Sequence, residues 1–153
     1  MNLREEVENK YKEAIKNKNA DEINTLRLIK SAIKDKDIAA RSQNNNELIN
    51  DSNILILLQN LIKQRKDSIN AFKSALREDL IAIEQKEIDI ISKFLPKQMD
   101  EKETTELVIK IIKENNLESL KDMGKLMNEL KSNYVGSLDM ALAGKIAKSK
   151  LEN

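Results

Sequence analysis

Only three glycines and one proline occur among the 153 residues of this chain. A fold built from many strands needs frequent turns, and glycine and proline are the residues that most often supply them. Apolar residues instead recur at every third and fourth position along most of the chain, which is the period of an α-helix. The sequence therefore predicts an all-α protein.

The single proline, Pro96, separates the predicted helices into two groups, because it disfavours helix at Leu95. The group before it includes two long helices joined near Arg77, and a turn this short places them side by side as an antiparallel hairpin. We expect an N-terminal helical bundle with this long hairpin, followed by a small three-helix C-terminal module. The predicted boundaries are residues 1–94 for the first domain, 95–97 for the linker and 98–153 for the module.

Several helix starts are predicted from residues that can cap a helix. Asp21 is expected to cap the second helix, and Asp100 with Glu103 three residues later fits a capping box. The last two helices are predicted over about 119–132 and 137–151, each with a serine at its start. The polar run Gln43–Asn46 interrupts the helical pattern and is predicted to be a loop.

One arginine interrupts an apolar stripe in the predicted hairpin. Arg65 falls in the middle of the apolar side of its helix, and Glu84 and Glu87 fall within the stripe of the next helix. In a hairpin that turns near residue 76, Arg65 lies level with Glu87, and Glu84 is one turn away. A buried charge without a partner is costly, so we predict an ion pair with one of these two glutamates. A structural pair that fixes the register is favoured over a charged pocket, since no other catalytic residue type converges there.

Cysteine and histidine are absent from the chain. Their absence excludes thiol nucleophiles, disulfides and metal sites built from Cys or His, so no metal ion and no cofactor is expected. A Ser–Lys dyad is not excluded, but no short motif supports one. No apolar run is long enough to predict a membrane span. The polar, acidic N-terminus is unlike a signal or transit peptide, and we therefore expect a cytoplasmic protein.

Positive charge is concentrated near the C-terminal end of a nearly neutral chain, whose net charge is +1. Residues 121–150 contain six lysines against three acids, a net charge of +3. Four of these lysines project away from the apolar sides of their predicted helices, next to small residues that let a phosphate backbone approach. We call them the basic face: Lys121, Lys125, Lys145 and Lys148. The alternative is an ordinary solvated surface, with lysines in last turns where the helix dipole favours them.

Four segments, in this order and spacing, resemble the YqeY family, which is related to the C-terminal tail domain of the GatB subunit of the aspartyl/glutamyl-tRNA amidotransferase. The segments are Thr25–Lys34 (TLRLIKSAIK), Leu61–Ile69 (LIKQRKDSI), Phe94–Met99 (FLPKQM) and Lys121–Met127 (KDMGKLM). The resemblance covers nearly the whole chain and implies the same all-α architecture. One departure follows Gly136, where the family commonly has a basic residue, a small residue, Asp and Gly. Here the run is Ser137-Leu138-Asp139-Met140, in which Asp139 matches while the basic residue and the glycine are missing.

The resemblance implies tRNA as a partner, with components of the amidotransferase or of aminoacyl-tRNA synthetases as protein partners. The leading hypothesis is an accessory protein that binds tRNA structure without catalysis of its own. A second hypothesis is a component of a carbon–nitrogen ligase reaction with glutamine as amido-N-donor, a label that family members inherit from the whole amidotransferase. A third is a protein–protein adaptor that docks through the long hairpin or through the apolar run 107–112.

Overall fold

The computed structural model describes residues 2–42 and 47–152. Within these residues the chain forms seven α-helices and one 3₁₀ turn with no strand, so the predicted all-α class is confirmed. The predicted loop Gln43–Asn46 lies outside the described residues. No helix in the described part is long and apolar enough to cross a membrane. The helices are α1 (Leu3–Lys16), α2 (Ala20–Ser42), α3 (Asp51–Ser74), α4 (Glu78–Ser92), α5 (Glu101–Glu114), α6 (Met123–Tyr134) and α7 (Met140–Glu152).

The chain divides into two compact units, Met1–Leu95 and Pro96–Asn153. In the N-terminal unit α1 and α2 pack together, and α3 and α4 form the predicted antiparallel hairpin, with α2 also in contact with α4. The core draws on all four helices because each turns its apolar stripe inward. Its most deeply buried large side chains are Val7, Leu26, Ile29, Ile54, Leu58 and Ile91.

The hairpin turns sharply because α3 ends in a Schellman motif. The N–H of Leu76 donates to the carbonyl of Lys73, and the N–H of Arg77 donates to the carbonyl of Phe72. This geometry requires a left-handed residue after the helix, and Leu76 adopts it with φ of 57°. The side chain of Leu76 is 86% exposed, so the turn places a strained leucine in solvent.

The C-terminal unit surrounds a second core. Helix α7 packs against α5, against α6 and against the 3₁₀ turn Leu120–Asp122 that precedes α6. The fully buried apolar side chains come from all three helices and from the loop before α7, and they are Val108, Leu126, Leu130, Leu138, Ala143 and Ala147.

Two of the predicted helix caps are wrong, and each is displaced by two residues. Helix α2 begins at Ala20, and the side chain of Asn19, not of Asp21, accepts a hydrogen bond from the N–H of Glu22. Helix α7 begins at Met140, and Asp139 accepts from the N–H groups of Ala141 and Leu142. In both places several residues suited to capping lie within a few positions, so the composition alone does not select the one that caps. The caps of α5 by Asp100 and of the 3₁₀ turn by Ser119 are as predicted.

Candidate nucleic-acid interface

All four lysines of the basic face are exposed. Lys121 lies in the 3₁₀ turn and Lys125 in the first turn of α6, while Lys145 and Lys148 lie on α7. The buried residues Leu126 and Leu130 of α6, and Ala143, Ala147 and Leu151 of α7, occupy the other sides of these helices. Since α7 packs against both α6 and the 3₁₀ turn, the two lysine pairs belong to adjoining elements.

Two glycines, Gly124 and Gly144, lie next to lysines of the basic face in the sequence, and they differ in how closely other side chains approach them. A side chain at Gly124 would have no neighbour within 4 Å, so the backbone there is open to solvent. A Cβ atom at Gly144 would instead lie 3.8 Å from Cε of Met127, so this glycine lies at the contact between α7 and α6. Of the two, only Gly124 offers exposed backbone to a phosphate.

One acid within the basic stretch is engaged in local structure. The carboxylate of Asp122 accepts hydrogen bonds from the N–H groups of Glu118 and Ser119, at 2.8 and 3.4 Å. These bonds lower the pKa of Asp122, and the charge of Lys125 adds to the effect. The aspartate therefore stays ionised and completes the capping box of the 3₁₀ turn, and its negative charge offsets part of the charge of Lys125.

The loop between α6 and α7 is fixed from both ends. The side-chain amide of Gln98 donates to the carbonyl of Gly136, and the N–H of Met99 donates to the carbonyl of Ser137 at 2.9 Å. Leu138 is only 1% exposed, and Asp139 caps α7. Although this loop departs from the family pattern, Asp139 caps α7 and Leu138 is buried in the core of the unit.

The structure places Arg65 and Glu87 in contact within the hairpin. Arg65 Nε lies 2.7 Å from Oε2 of Glu87, and Arg65 Nη1 donates to the carbonyl of Leu61 at 3.0 Å. Among the described residues Glu87, and not Glu84, takes the guanidinium. Arg65 therefore joins α3 to α4. In the described part of the chain no group of three or more acidic side chains is placed to hold a metal ion.

A second, partly buried arginine pair joins Arg4 to Asp37 and was not predicted from the sequence. Arg4 binds Asp37 through two bonds, Nη1 to Oδ2 at 2.8 Å and Nη2 to Oδ1 at 3.0 Å. Arg4 also donates to the carbonyl of Ile49, whose N–H donates back to Asp37. The hydrogen bond from Arg4 is the main cause of the lowered pKa of Asp37. The signal was present, since Asp37 continues the buried stripe of Leu26, Ile29 and Ile33 on α2.

The two surfaces predicted for docking differ in the structure. In the run 107–112, Leu107, Val108 and Ile111 are buried and Ile112 packs against the core, so only Ile109 has an exposed apolar side chain. This run forms part of the core of the C-terminal unit and is not a docking surface. The hairpin, in contrast, exposes Leu76 at its tip.

Comparison with known proteins decides the family. A family model described as Yqey-like protein matches residues 4–151, which is nearly the whole chain. The chain belongs to the YqeY-like family. The predicted resemblance is therefore confirmed.

The YqeY-like chain is also similar to fungal proteins named Altered inheritance of mitochondria protein 41, mitochondrial. The relative from Pyrenophora tritici-repentis is 30% identical over 132 residues, which are 82% of this chain and 70% of the relative. The relative from Clavispora lusitaniae is 39% identical over 93 residues, which are 59% of this chain and 51% of the relative. The relative from Saccharomyces cerevisiae S288c is 43% identical over 70 residues, which are 46% of this chain. The matched part spans about a third of the yeast relatives' own length, at 36%.

These names contradict the expected cytoplasmic location, since they are names of mitochondrial proteins. The prediction of a cytoplasmic protein is wrong by this comparison. It rested on a polar N-terminus and on the lack of an apolar span, and neither property specifies a compartment.

Proposed function

We propose that this YqeY-like protein is an accessory factor that binds tRNA through the basic face of its C-terminal unit and catalyses no reaction by itself. The observation that carries the proposal is the exposure of Lys121, Lys125, Lys145 and Lys148 on adjoining elements within a stretch of net charge +3. The family's relation to the tail of a tRNA amidotransferase supplies tRNA as the expected polyanion.

The mode of binding follows from the residue types on this face. Lysines contact phosphate as point charges and carry no base specificity. The aromatic residue of this stretch, Tyr134, packs against the core of the C-terminal unit, so stacking on single-stranded bases is not the expected mode. We therefore expect recognition of the folded shape of an RNA, with modest affinity at physiological salt.

The decisive experiment compares two double charge reversals in the full-length chain. The variant Lys121→Glu with Lys125→Glu should abolish binding to tRNA, measured by fluorescence anisotropy of labelled tRNA. The control variant Lys102→Glu with Lys113→Glu changes the net charge by the same amount on exposed positions of α5. The control should bind as the parent does, because its lysines lie outside the basic face.

Each outcome of this comparison has a clear meaning. Equal loss in both variants would show that only the net charge matters and would contradict a defined face. Unchanged binding by the Lys121 and Lys125 variant would show that these lysines are ordinary solvated residues. Circular dichroism and thermal unfolding of each variant establish that the fold is intact.

A protein–protein adaptor is the second candidate, and the tip of the hairpin favours it. Leu76 is 86% exposed and Ile83, farther along α4, is 54% exposed. A partner contact would need these two side chains to form one continuous apolar patch, since singly exposed apolar residues are common on ordinary surfaces. A partner that is captured without RNA and is released by Leu76→Ser would move this function ahead of tRNA binding.

A further inference from the structure

The seam between α1 and α2 holds a linked group of polar side chains. Arg27 on α2 donates from Nε to Oη of Tyr11 on α1 at 3.1 Å. Lys30 Nζ lies 4.1 Å from the centroid of the Tyr11 ring and 2.9 Å from Oε2 of Glu8. The tyrosine is thus held by two basic side chains of the neighbouring helix.

The charges of this seam do not cancel. Residues 23–34 contain Arg27, Lys30 and Lys34 and no acid, and Glu8 neutralises only Lys30. Arg27, Ser31 and Lys34 are all exposed, and their spacing of four and three residues places them on one side of α2. Within the described residues neither Arg27 nor Lys34 forms an ion pair, so the seam presents two positively charged side chains and a hydroxyl to solvent.

The bond to Tyr11 leaves the anion-binding edge of Arg27 available. A guanidinium binds phosphate best through two parallel N–H groups, and Arg27 uses only Nε for the tyrosine. In the described part of the chain no acceptor is bound to its Nη1 or Nη2 atoms. The other exposed pair differs, since Arg77 gives both Nε and Nη2 to Asp79. Fixing Nε in advance also lowers the entropy lost when a ligand binds.

We propose that Tyr11, Arg27, Ser31 and Lys34 form a second phosphate-binding site, in the N-terminal unit, for the backbone of an RNA. Arg27 takes one phosphate, Tyr11 orients Arg27, and Lys34 takes a neighbouring phosphate. Arg27 and Lys34 are seven residues apart, about 10 Å along the helix, which suits a chain of phosphates better than one phosphate. The choice of RNA among phosphate-bearing chains rests on the proposed function.

A membrane surface is the other polyanion to weigh against RNA. A helix that lies on a membrane needs a broad apolar face directed into the lipid. The apolar face of α2 packs inside the protein and is not available to lipid, since Leu26, Ile29 and Ile33 are buried in the core of the unit. The observations therefore favour a soluble phosphate chain.

Tyrosine fluorescence provides a direct readout of this site. The chain has two tyrosines and no tryptophan, so Tyr134→Phe leaves Tyr11 as the single strong emitter. Titration of this full-length variant with inorganic polyphosphate, which does not absorb at the excitation wavelength, should change the Tyr11 emission in a saturable way. Adding Arg27→Ala should abolish the change, and adding Lys34→Glu should weaken the affinity about tenfold through loss of a charged contact. Adding Arg77→Ala, the matched control, should leave the titration unchanged.

The outcomes separate this site from the basic face. A response that survives Lys121→Glu with Lys125→Glu supports an independent site. A Tyr11 response to polyphosphate in a chain that binds no tRNA would support the site while the proposed function fails. If the Tyr134→Phe chain gives the same titration with and without Arg27→Ala or Lys34→Glu, the proposal is overturned. A response to vesicles containing phosphatidylserine, with none to polyphosphate, would overturn it in favour of a membrane.

Discussion

Arg65 Nε and Oε2 of Glu87 lie 2.7 Å apart in the middle of the α3–α4 hairpin. The side chains are 12% and 24% exposed, so the pair is shielded but still reached by water. Removing the pair should therefore lower the free energy of unfolding by more than removing a surface ion pair does and by less than breaking a fully buried one. The pair joins α3 to α4 at a fixed register.

We expect Arg65→Ala to lower the free energy of unfolding by about 2 kcal/mol, measured by urea denaturation. Glu87→Ala should have a similar effect, and the double variant should cost less than the sum because the charges interact. Glu84→Ala is the control, one turn away, and should change stability by less than about 0.5 kcal/mol. Strictly additive effects of the Arg65 and Glu87 substitutions would show that the ion pair contributes nothing.

The pair was predictable because both residues break an apolar stripe and a short turn fixes which positions face each other. Arg4 and Asp37 follow the same rule, with Asp37 at a buried position of α2. The turn between α1 and α2 is as short as that of the hairpin and closes with the same two bonds, from the N–H of Lys18 to Ile15 and from the N–H of Asn19 to Ala14. The register of α1 against α2 was therefore equally well defined, and the Arg4–Asp37 pair was open to the same prediction. The acceptor Ile49 lies beyond α2, and no local pattern points to it.

The Asp37 network should be the more costly one to break. The Asp37 side chain is only 10% exposed and accepts from Arg4 and from the N–H of Ile49. Asp37→Ala leaves both donors without that acceptor, and we expect a loss of about 3 kcal/mol. Asp35→Ala, two residues earlier at an exposed position, is the control and should have little effect on urea denaturation.

Acid should weaken the same network. Because the pKa of Asp37 is lowered by Arg4, its contribution to stability is fully present above the ordinary aspartate pKa of 3.8. The contribution is lost as the pH falls through the lower pKa of the folded state. The parent should therefore lose more stability than Asp37→Asn as the pH falls below about 4, measured by urea denaturation at each pH. Parallel curves for the two proteins would contradict the role of this carboxylate.

A glycine at the hairpin turn should stabilise the protein. Leu76 has φ of 57° and is 86% exposed, so its side chain adds strain and little packing. Leu76→Gly relieves the strain, part of which is offset by the greater freedom of glycine in the unfolded chain. We expect a gain of about 0.5 kcal/mol by thermal unfolding. Leu76→Ala keeps the Cβ atom and should give no gain, and an equal gain from both would contradict the strain argument.

The basic face illustrates what sequence can and cannot provide. Helical periodicity predicted that Lys121, Lys125, Lys145 and Lys148 lie outside the core, and all four are exposed. Periodicity could not show that Gly144 faces Met127, because that contact depends on how α7 packs against α6. A role in RNA binding stays a prediction, since exposure and charge are shared by ordinary surfaces.

Salt dependence offers a quantitative test of how many lysines contact phosphate. With three to five phosphates neutralised, the logarithm of the tRNA affinity should fall against the logarithm of salt concentration with a slope of roughly −2 to −4. Neutralising two contacts by Lys121→Ala with Lys125→Ala should make this slope less steep by about 1.5 to 2. Lys102→Ala with Lys113→Ala removes the same charge from α5 and should leave the slope unchanged. The same slope in both variants would mean that the tRNA responds to the overall charge of the protein and that these four lysines form no defined contact.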